Sequence, residues 1–335
     1  MSKNLKLNQN NSNPPNPPFP KGGEGGFLEF GPPARRLLLT LEPPLRRTRM
    51  QPRTSDGWDA PAKGGVWNLG LLTCLLSILL LIPLTVGCQR SRAGITVAGS
   101  TSVEPFAELL AEEYMARHSD SHIYVQGGGS TAGIEATING AANIGMSSRS
   151  LTDDEKKLHA VTIAKDAIAV IVHPSNPTGN LSLGQIRDVF SGKIANWKEL
   201  GGPDHPIDIV TREEGSGTRE SFQKFVMGKE DISLGALVQD SNGAVRQVIS
   251  SDPNAIGYIS LGLVNEQVKA LKISSVEPNL TNVYNGKYTL VRPFLFVFSG
   301  EPAGEAKSFL EFVLSPSAQK LLLKEGLVPV VEKLG

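Results

Sequence analysis

The 335 residues hold 33 Lys and Arg against 33 Asp and Glu, with 40% hydrophobic and 20% charged residues, the composition of a globular chain long enough to bury a large core. The zero net charge hides an asymmetry: up to Gly87 there are 10 basic residues against 5 acidic, leaving 23 against 28 from Cys88 onward. A mildly acidic body argues against a nucleic-acid binder, and with Cys74 and Cys88 as its only cysteines the body beyond Cys88 has no disulfide, thiolate chemistry or cysteine-type zinc site.

In chain order, residues 1–66 lack a core-forming pattern. Asn11 to Gly26 is Pro/Gly/Asn low complexity, expected to be disordered or to precede the true start, for which Met50 is a candidate. Leu69 to Val86 is an uncharged apolar run of 18 residues, the core of a signal peptide or an uncleaved membrane anchor. Leu84-Thr85-Val86-Gly87-Cys88 resembles a bacterial lipobox, although Thr85 stands where Leu is usual. Residues 67–87 therefore read as a signal peptide, with the mature chain beginning at Cys88 and lipid on its sulfur. On either reading the body sits outside the cytoplasmic membrane, periplasmic or extracytoplasmic and anchored.

From Ile95 the pattern turns α/β. Ile95–Ala98 reads as a short strand, and Val103, Phe106, Ala107, Leu110 and Tyr114 form one face of a helix to about Arg117. Ile123–Val125 is a second strand, followed by a helix through about Asn139. Asn143–Met146 is a third strand and Asp166–Val172 a fourth, ended by His173-Pro174. Leu183–Phe190 is a helix, Ile207–Val210 a strand, and a further helix carries Phe222, Phe225 and Val226. Val245–Ser250 is helical, Ala255–Ser260 and Leu290–Phe298 are strands, and two helices close the chain. Strand, glycine turn, helix, strand is the order of βαβ units on a parallel sheet.

One device occurs three times. A strand ends, a Gly/Ser/Thr turn follows, and an amphipathic helix begins: Gly99–Ser102, Gly127–Thr131 and Gly215–Thr218. Helix N-termini carry free N–H groups and the positive end of the helix dipole, glycine lets an anion approach the backbone, and hydroxyls add uncharged donors. Converged at the carboxyl ends of strands, such turns suit a small oxyanion. Plain N-capping by Ser and Thr is the competing account of each turn. Arg212 sits just before the third turn, where its guanidinium fork suits phosphate oxygens and Glu214 is placed to pair with it; a solvated charge run is the alternative.

Arg212-Glu213-Glu214-Gly215-Ser216-Gly217-Thr218 resembles the Arg-x-acid-Gly-Ser-Gly-Thr motif of periplasmic phosphate-binding proteins, Gly99-Ser100-Thr101-Ser102 before Pro105 resembles their first anion turn, and Gly127-Gly128-Gly129-Ser130 their second. The likeness covers about residues 94 to 335. It implies a type II periplasmic-binding-protein fold, in which two α/β lobes, each a mixed, mostly parallel sheet flanked by helices, enclose a ligand cleft. Lobe I would be 94–171 with 292–335, and lobe II 172–291, with crossings near His173-Pro174 and Arg292-Pro293. It also implies phosphate contacts from Thr101, Ser102, Ser130, Arg212, Ser216, Gly217 and Thr218, with Ser100, Thr131, Arg149 and Glu214 as further candidates. Relatives carry an aspartate after the third strand that accepts the proton of hydrogen phosphate. Here Ser148 takes that place, which puts discrimination against sulfate in doubt. Arg149 beside it either adds positive charge or forms a surface ion pair.

The implied function is a monomeric solute-binding lipoprotein that captures inorganic phosphate for the permease subunits of an ABC importer, with no reaction catalysed and no cofactor or metal. Binding of sulfate, molybdate or tungstate is the near alternative, followed by a phosphatase-like relative and a surface lipoprotein without a ligand. The sequence has no Gly-x4-Gly-Lys-Ser/Thr phosphate loop and no Gly-x-Ser-x-Gly elbow. His118 and His122 are four apart, but the helical pattern stops between them, so both read as surface residues. For the lipobox, Cys88→Ala is expected to abolish lipid attachment and leave unprocessed precursor, read by metabolic lipid labelling and apparent mass. Normal processing of the variant would contradict the assignment.

Overall fold

The computed structural model describes residues 94–330. The expectations for residues 1–66, for the signal peptide and for lipidation at Cys88 lie outside the described residues.

The chain opens as strand β1 (Ile95–Gly99), helix α1 (Glu104–Arg117), β2 (Ile123–Gly127), α2 (Ser130–Ile138) and β3 (Ile144–Ser147). β1 lies between β2 and β3 and is parallel to both. It can pack close to α2 because Gly133 faces it: a Cβ there would run into the Ala98 carbonyl and the Gly99 backbone. Phe106, Leu110 and Tyr114 of α1 are buried on one stripe, at the spacing expected of a core-facing helix.

The next strand, β4 (His159–Val172), has 14 residues. The sequence showed only its second part, because His159, Thr162 and Lys165 interrupt the apolar run before Asp166. Tertiary pairing carries that first part. Beyond β4 come β5 (Asn180–Leu181), α3 (Leu183–Phe190), β6 (Asp208–Arg212) and α4 (Gly217–Phe222), which runs into a π-helical turn at Gln223–Met227. Then follow β7 (Leu237–Gln239), α5 (Asn242–Ser251), β8 (Ala255–Ser260), β9 (Lys269–Ala270), β10 (Lys272–Ile273) and α6 (Leu280–Tyr284). The return strand β11 (Val291–Phe298), helices α7 (Gly304–Val313) and α8 (Pro316–Lys324) and the short β12 (Val328–Pro329) complete the order.

The main sheet runs β2-β1-β3-β11-β4-β8-β6-β7. β11 is antiparallel to both β3 and β4. β4 pairs with β11 as far as Ala167 and with β8 from Ile168 onward, so one strand serves both ends of the sheet. The buried side chains divide at the same place. Ile163 and Ala164 join Phe106, Phe294, Phe296 and Phe309 in one cluster. Ala167, Ile168, Val170 and Val172 join Phe190, Trp197, Phe222 and Tyr258 in another. In the second cluster Phe222 and Tyr258 stack nearly parallel, with ring centroids 4.0 Å apart.

Two strands each carry one buried charge, Asp166 on β4 and Arg292 on β11. They are direct partners in the antiparallel register, and their side chains form an ion pair at 2.9 Å, both fully buried. Burial pushes the Asp166 carboxyl up and the Arg292 guanidinium down, and each is opposed by the other's charge.

Candidate functional site

The carboxyl ends of β1, β2 and β6 bring the three Gly/Ser/Thr turns together. Gly129 (φ 93°) donates its N–H to the Gly99 carbonyl at 3.0 Å, which ties the second turn to the first. The Thr131 N–H donates to the Gly215 carbonyl at 3.1 Å, which ties the second turn to the third. Gly215 has φ 81°, a conformation that side chains other than glycine rarely adopt. At Gly217 any Cβ would collide with the hydroxyl oxygens of Ser130 and Ser148. Glycine there lets α4 approach the other two turns closely enough to share a ligand with them.

Capping does not account for the hydroxyls. α1 and α2 begin at Val103 and Gly129 with no side-chain cap, and only Ser216 caps its helix, accepting from the Arg219 N–H. The others face inward, and Ser100, Ser102, Ser130, Ser148 and Thr218 are all buried. Ser100 Oγ donates to Ser148 Oγ at 2.8 Å, and Ser148 donates its N–H to Ser130 Oγ at 3.1 Å. Ser102 Oγ lies 2.8 Å from Thr218 Oγ1, across the meeting of the first and third turns.

Arg212 is 1% exposed. Its Nε and Nη2 fork onto the Glu213 carboxylate at 2.8 Å each. Nη2 also donates to Thr101 Oγ1 and the Asp240 carbonyl, both at 3.1 Å. Nη1 is buried and has no hydrogen-bond partner. A buried, unpartnered guanidinium N–H is costly unless something accepts from it, and this one belongs to a side chain that also contacts Thr101.

Glu214 is not the partner of Arg212. It lies beyond the strand end, where the chain enters the Gly215 turn, and its side chain is exposed; Glu213, still adjacent to β6, makes the fork. Arg149 does form ion pairs, but buried ones. Its guanidinium is buried rather than on the surface, and two carboxylates claim it: Glu155 at 2.6 Å and Glu220 of α4 at 2.7 Å. Nη2 also donates to Thr131 Oγ1 at 3.2 Å. The Arg149 charge therefore braces α4 against the segment after β3 and is spent on its own acids.

Sequence reasoning missed Asn242 and the Asp166–Arg292 pair. Asn242 Nδ2 donates to Ser102 Oγ at 2.9 Å, and Arg292 donates to Thr218 Oγ1 at 2.9 Å and Ser102 Oγ at 3.1 Å. A signal was there to read: an acidic residue opens one long apolar run and a basic residue lies inside another. Among the described residues no group of three or more His, Cys, Asp or Glu is placed to hold a metal. His118 and His122 are both exposed.

Two α/β ends on one shared strand, with helix N-termini, hydroxyls and a buried guanidinium converging between them, define a solute-binding protein of the type II periplasmic-binding fold. A family model described as a PBP superfamily domain matches residues 85–317. Phosphate-binding protein PstS of Bacillus subtilis is 32% identical over 253 residues, covering 73% of this chain and 84% of that protein. Among solved structures, a phosphate ABC transporter substrate-binding protein from Clostridium perfringens, crystallised with phosphate, is 42% identical with a TM-score of 0.69, covering 71% of this chain and 100% of that one. An ABC-type phosphate transport receptor from Vibrio cholerae is 40% identical with a TM-score of 0.60, over 70% of this chain and 99% of that one. The chain belongs to the substrate-binding protein family of phosphate ABC transporters, within the PBP superfamily.

The Arg149 cluster has a pH signature. Arg149, hydrogen-bonded to Glu155, holds that carboxyl well below the ordinary 4.5, at about 2. A depressed folded-state value stabilises the fold above about 4.5, and that stability is lost as the pH falls toward 2. Denaturation midpoints measured across that window should fall less steeply for Glu155→Gln than for wild type. Identical pH dependence in the two proteins would contradict the pairing.

Proposed function

We propose that this protein captures inorganic phosphate in the cleft and hands it to an ABC importer. The observation that carries the reading is Arg212 Nη1, a buried cationic donor without a partner, on a side chain that contacts the first turn, where hydroxyls of the first and third turns meet. The proposed contacts are Thr101, Ser102, Ser130, Ser148, Arg212, Ser216, Thr218 and the backbone N–H of Gly217. Ser100 supports Ser148, and Thr131 supports Arg149. Hydrogen bonds to charged groups contribute roughly 1.5–3 kcal/mol each, whereas micromolar binding needs about 8 kcal/mol, so a handful of such contacts leaves a surplus to offset desolvation and closure.

The remaining features of the reading are proposed with it. The strands crossing between the two lobes are β4 and β11, with β4 passing from one lobe to the other near Ala167, earlier in the chain than His173-Pro174, and the anion draws the lobes together. No bond of the ligand is broken. The protein acts as a monomer outside the cytoplasmic membrane, anchored through lipid on Cys88, and docks on permease subunits of the transporter. The phosphate-binding protein of Bacillus subtilis and the phosphate-bound protein of Clostridium perfringens support the choice of anion. Ser148 in place of a carboxylate favours weak rejection of sulfate, because a hydroxyl accepts a proton's hydrogen bond and repels no charge.

Titration calorimetry against phosphate, sulfate and molybdate tests this. Phosphate should bind, and at 100 times its dissociation constant should stabilise the fold by about 2.7 kcal/mol. Arg212→Ala should cost roughly 2–5 kcal/mol of phosphate binding. Ser148→Asp should raise the phosphate-to-sulfate affinity ratio. Wild-type affinity in Arg212→Ala would refute the site, and tight binding of molybdate or sulfate with none of phosphate would refute the ligand.

A further inference from the structure

The hydrogen bonds around Ser102 and Thr218 leave little choice of direction. The Ser260 N–H donates to Asn242 Oδ1 at 3.1 Å, so the other end of that amide, Nδ2, is a donor, and it lies 2.9 Å from Ser102 Oγ. Ser102 Oγ also takes Arg292 Nη2 at 3.1 Å. Both its lone pairs are then occupied, and its own proton must be given away. The neighbour at 2.8 Å is Thr218 Oγ1, which already takes Arg292 Nη1 at 2.9 Å. Thr218 is thereby filled as an acceptor too, and its proton must point to whatever the cleft holds.

Arg292 is itself held in place. Its Nε and Nη2 lie 3.0 and 2.9 Å from Asp166 Oδ2, and Asp166 Oδ1 accepts from Ser260 Oγ at 2.9 Å. Asp166, Ser260, Asn242, Ser102 and Arg292 close a ring of buried hydrogen bonds around the crossing of β4 and β11. Arg292 donates both ways around the ring, into Asp166 and into Ser102, and the members of such a network are energetically coupled.

We infer that Arg292 and Asn242, which lie outside all three anion turns, are positioning residues that turn the Ser102 proton onto Thr218 and so lock Thr218 as a hydrogen-bond donor toward the bound oxyanion. The inference rests on the phosphate reading of this site and adds to it a polarity. The Ser102–Thr218 corner accepts only unprotonated oxygens. A bound hydrogen phosphate must turn its P–O–H away from this corner, toward Ser148, whose Oγ takes its assigned hydrogen bond from Ser100.

A double-mutant cycle read by titration with inorganic phosphate tests this. Arg292→Lys keeps a positive charge beside Asp166, but an ammonium lacks the fork that reaches Asp166, Ser102 and Thr218 together. It should weaken phosphate binding about tenfold, a typical loss for a coupled pair. Thr218→Val should weaken binding comparably. The double variant should bind within about twofold of Thr218→Val alone, because Arg292 acts through that hydroxyl. A merely structural Arg292 gives multiplying losses, and that result overturns the inference, as does Arg292→Lys with wild-type affinity. If Arg292→Lys does not fold, the cycle of Asn242→Ala with Ser102→Ala decides by the same criterion of non-additivity. Wild type is titrated alongside: its failure to bind phosphate overturns the ligand reading together with this one, whereas tight wild-type binding with additive losses overturns this one alone.

Discussion

The carboxyl ends of β1, β2 and β6 have to face one another, and the strands that impose this are β4 and β11. β4 is long enough to pair with β11 at one end and β8 at the other. Each end of the sheet then carries its own buried cluster, and helix N-termini from both ends meet over the shared strands. The ion pair of Asp166 with Arg292 sits in the register between those strands. Buried ion pairs contribute little net stability against apolar residues of the same shape, but losing one partner typically costs 3–5 kcal/mol. Such a pair is a poor way to hold a core together and a good way to hold two donors, Arg292 Nη1 and Nη2, in one orientation.

The charge balance of the site follows the same logic. The body is acidic overall, so long-range attraction does not gather anions. Each buried guanidinium is matched locally: Arg212 by Glu213, Arg292 by Asp166, and Arg149 by Glu155 and Glu220. What is left over for a ligand is directional. It consists of Arg212 Nη1, helix N–H groups and hydroxyl protons, all in a space where desolvation strengthens each contact. An ion held in this way is selected by geometry and by where its own protons lie.

Much of this was legible in the sequence. The strand-turn-helix units at Gly99, Gly127 and Gly215 could be read because each turn chemistry is local and each helix shows its buried stripe within a few residues. Thr101, Ser102, Ser130, Arg212 and Thr218 were named through the resemblance of those turns to the family motifs, and Ser148 through its place after the third strand. Other features were set by contacts far apart in the chain. Arg292 meets Ser102 across 190 positions and Asn242 meets it across 140, and no local pattern reports such pairings. The first part of β4 and the short β7 owe their strand form to neighbours in the sheet rather than to their own residues. Glu213 and Glu214 are adjacent acids, and which of them reaches Arg212 depends on where β6 ends and the Gly215 turn begins.

The central claim is that Arg212 Nη1 is held unpartnered so that an anion can take it. A crystal structure of the protein with phosphate tests this most directly. The account predicts one tetrahedral anion between the three turns, with an oxygen roughly 3 Å from Arg212 Nη1 and others on Thr218 and the Gly217 N–H. Phosphate lodged elsewhere, or bound in the cleft with Arg212 Nη1 still unpartnered, would contradict it.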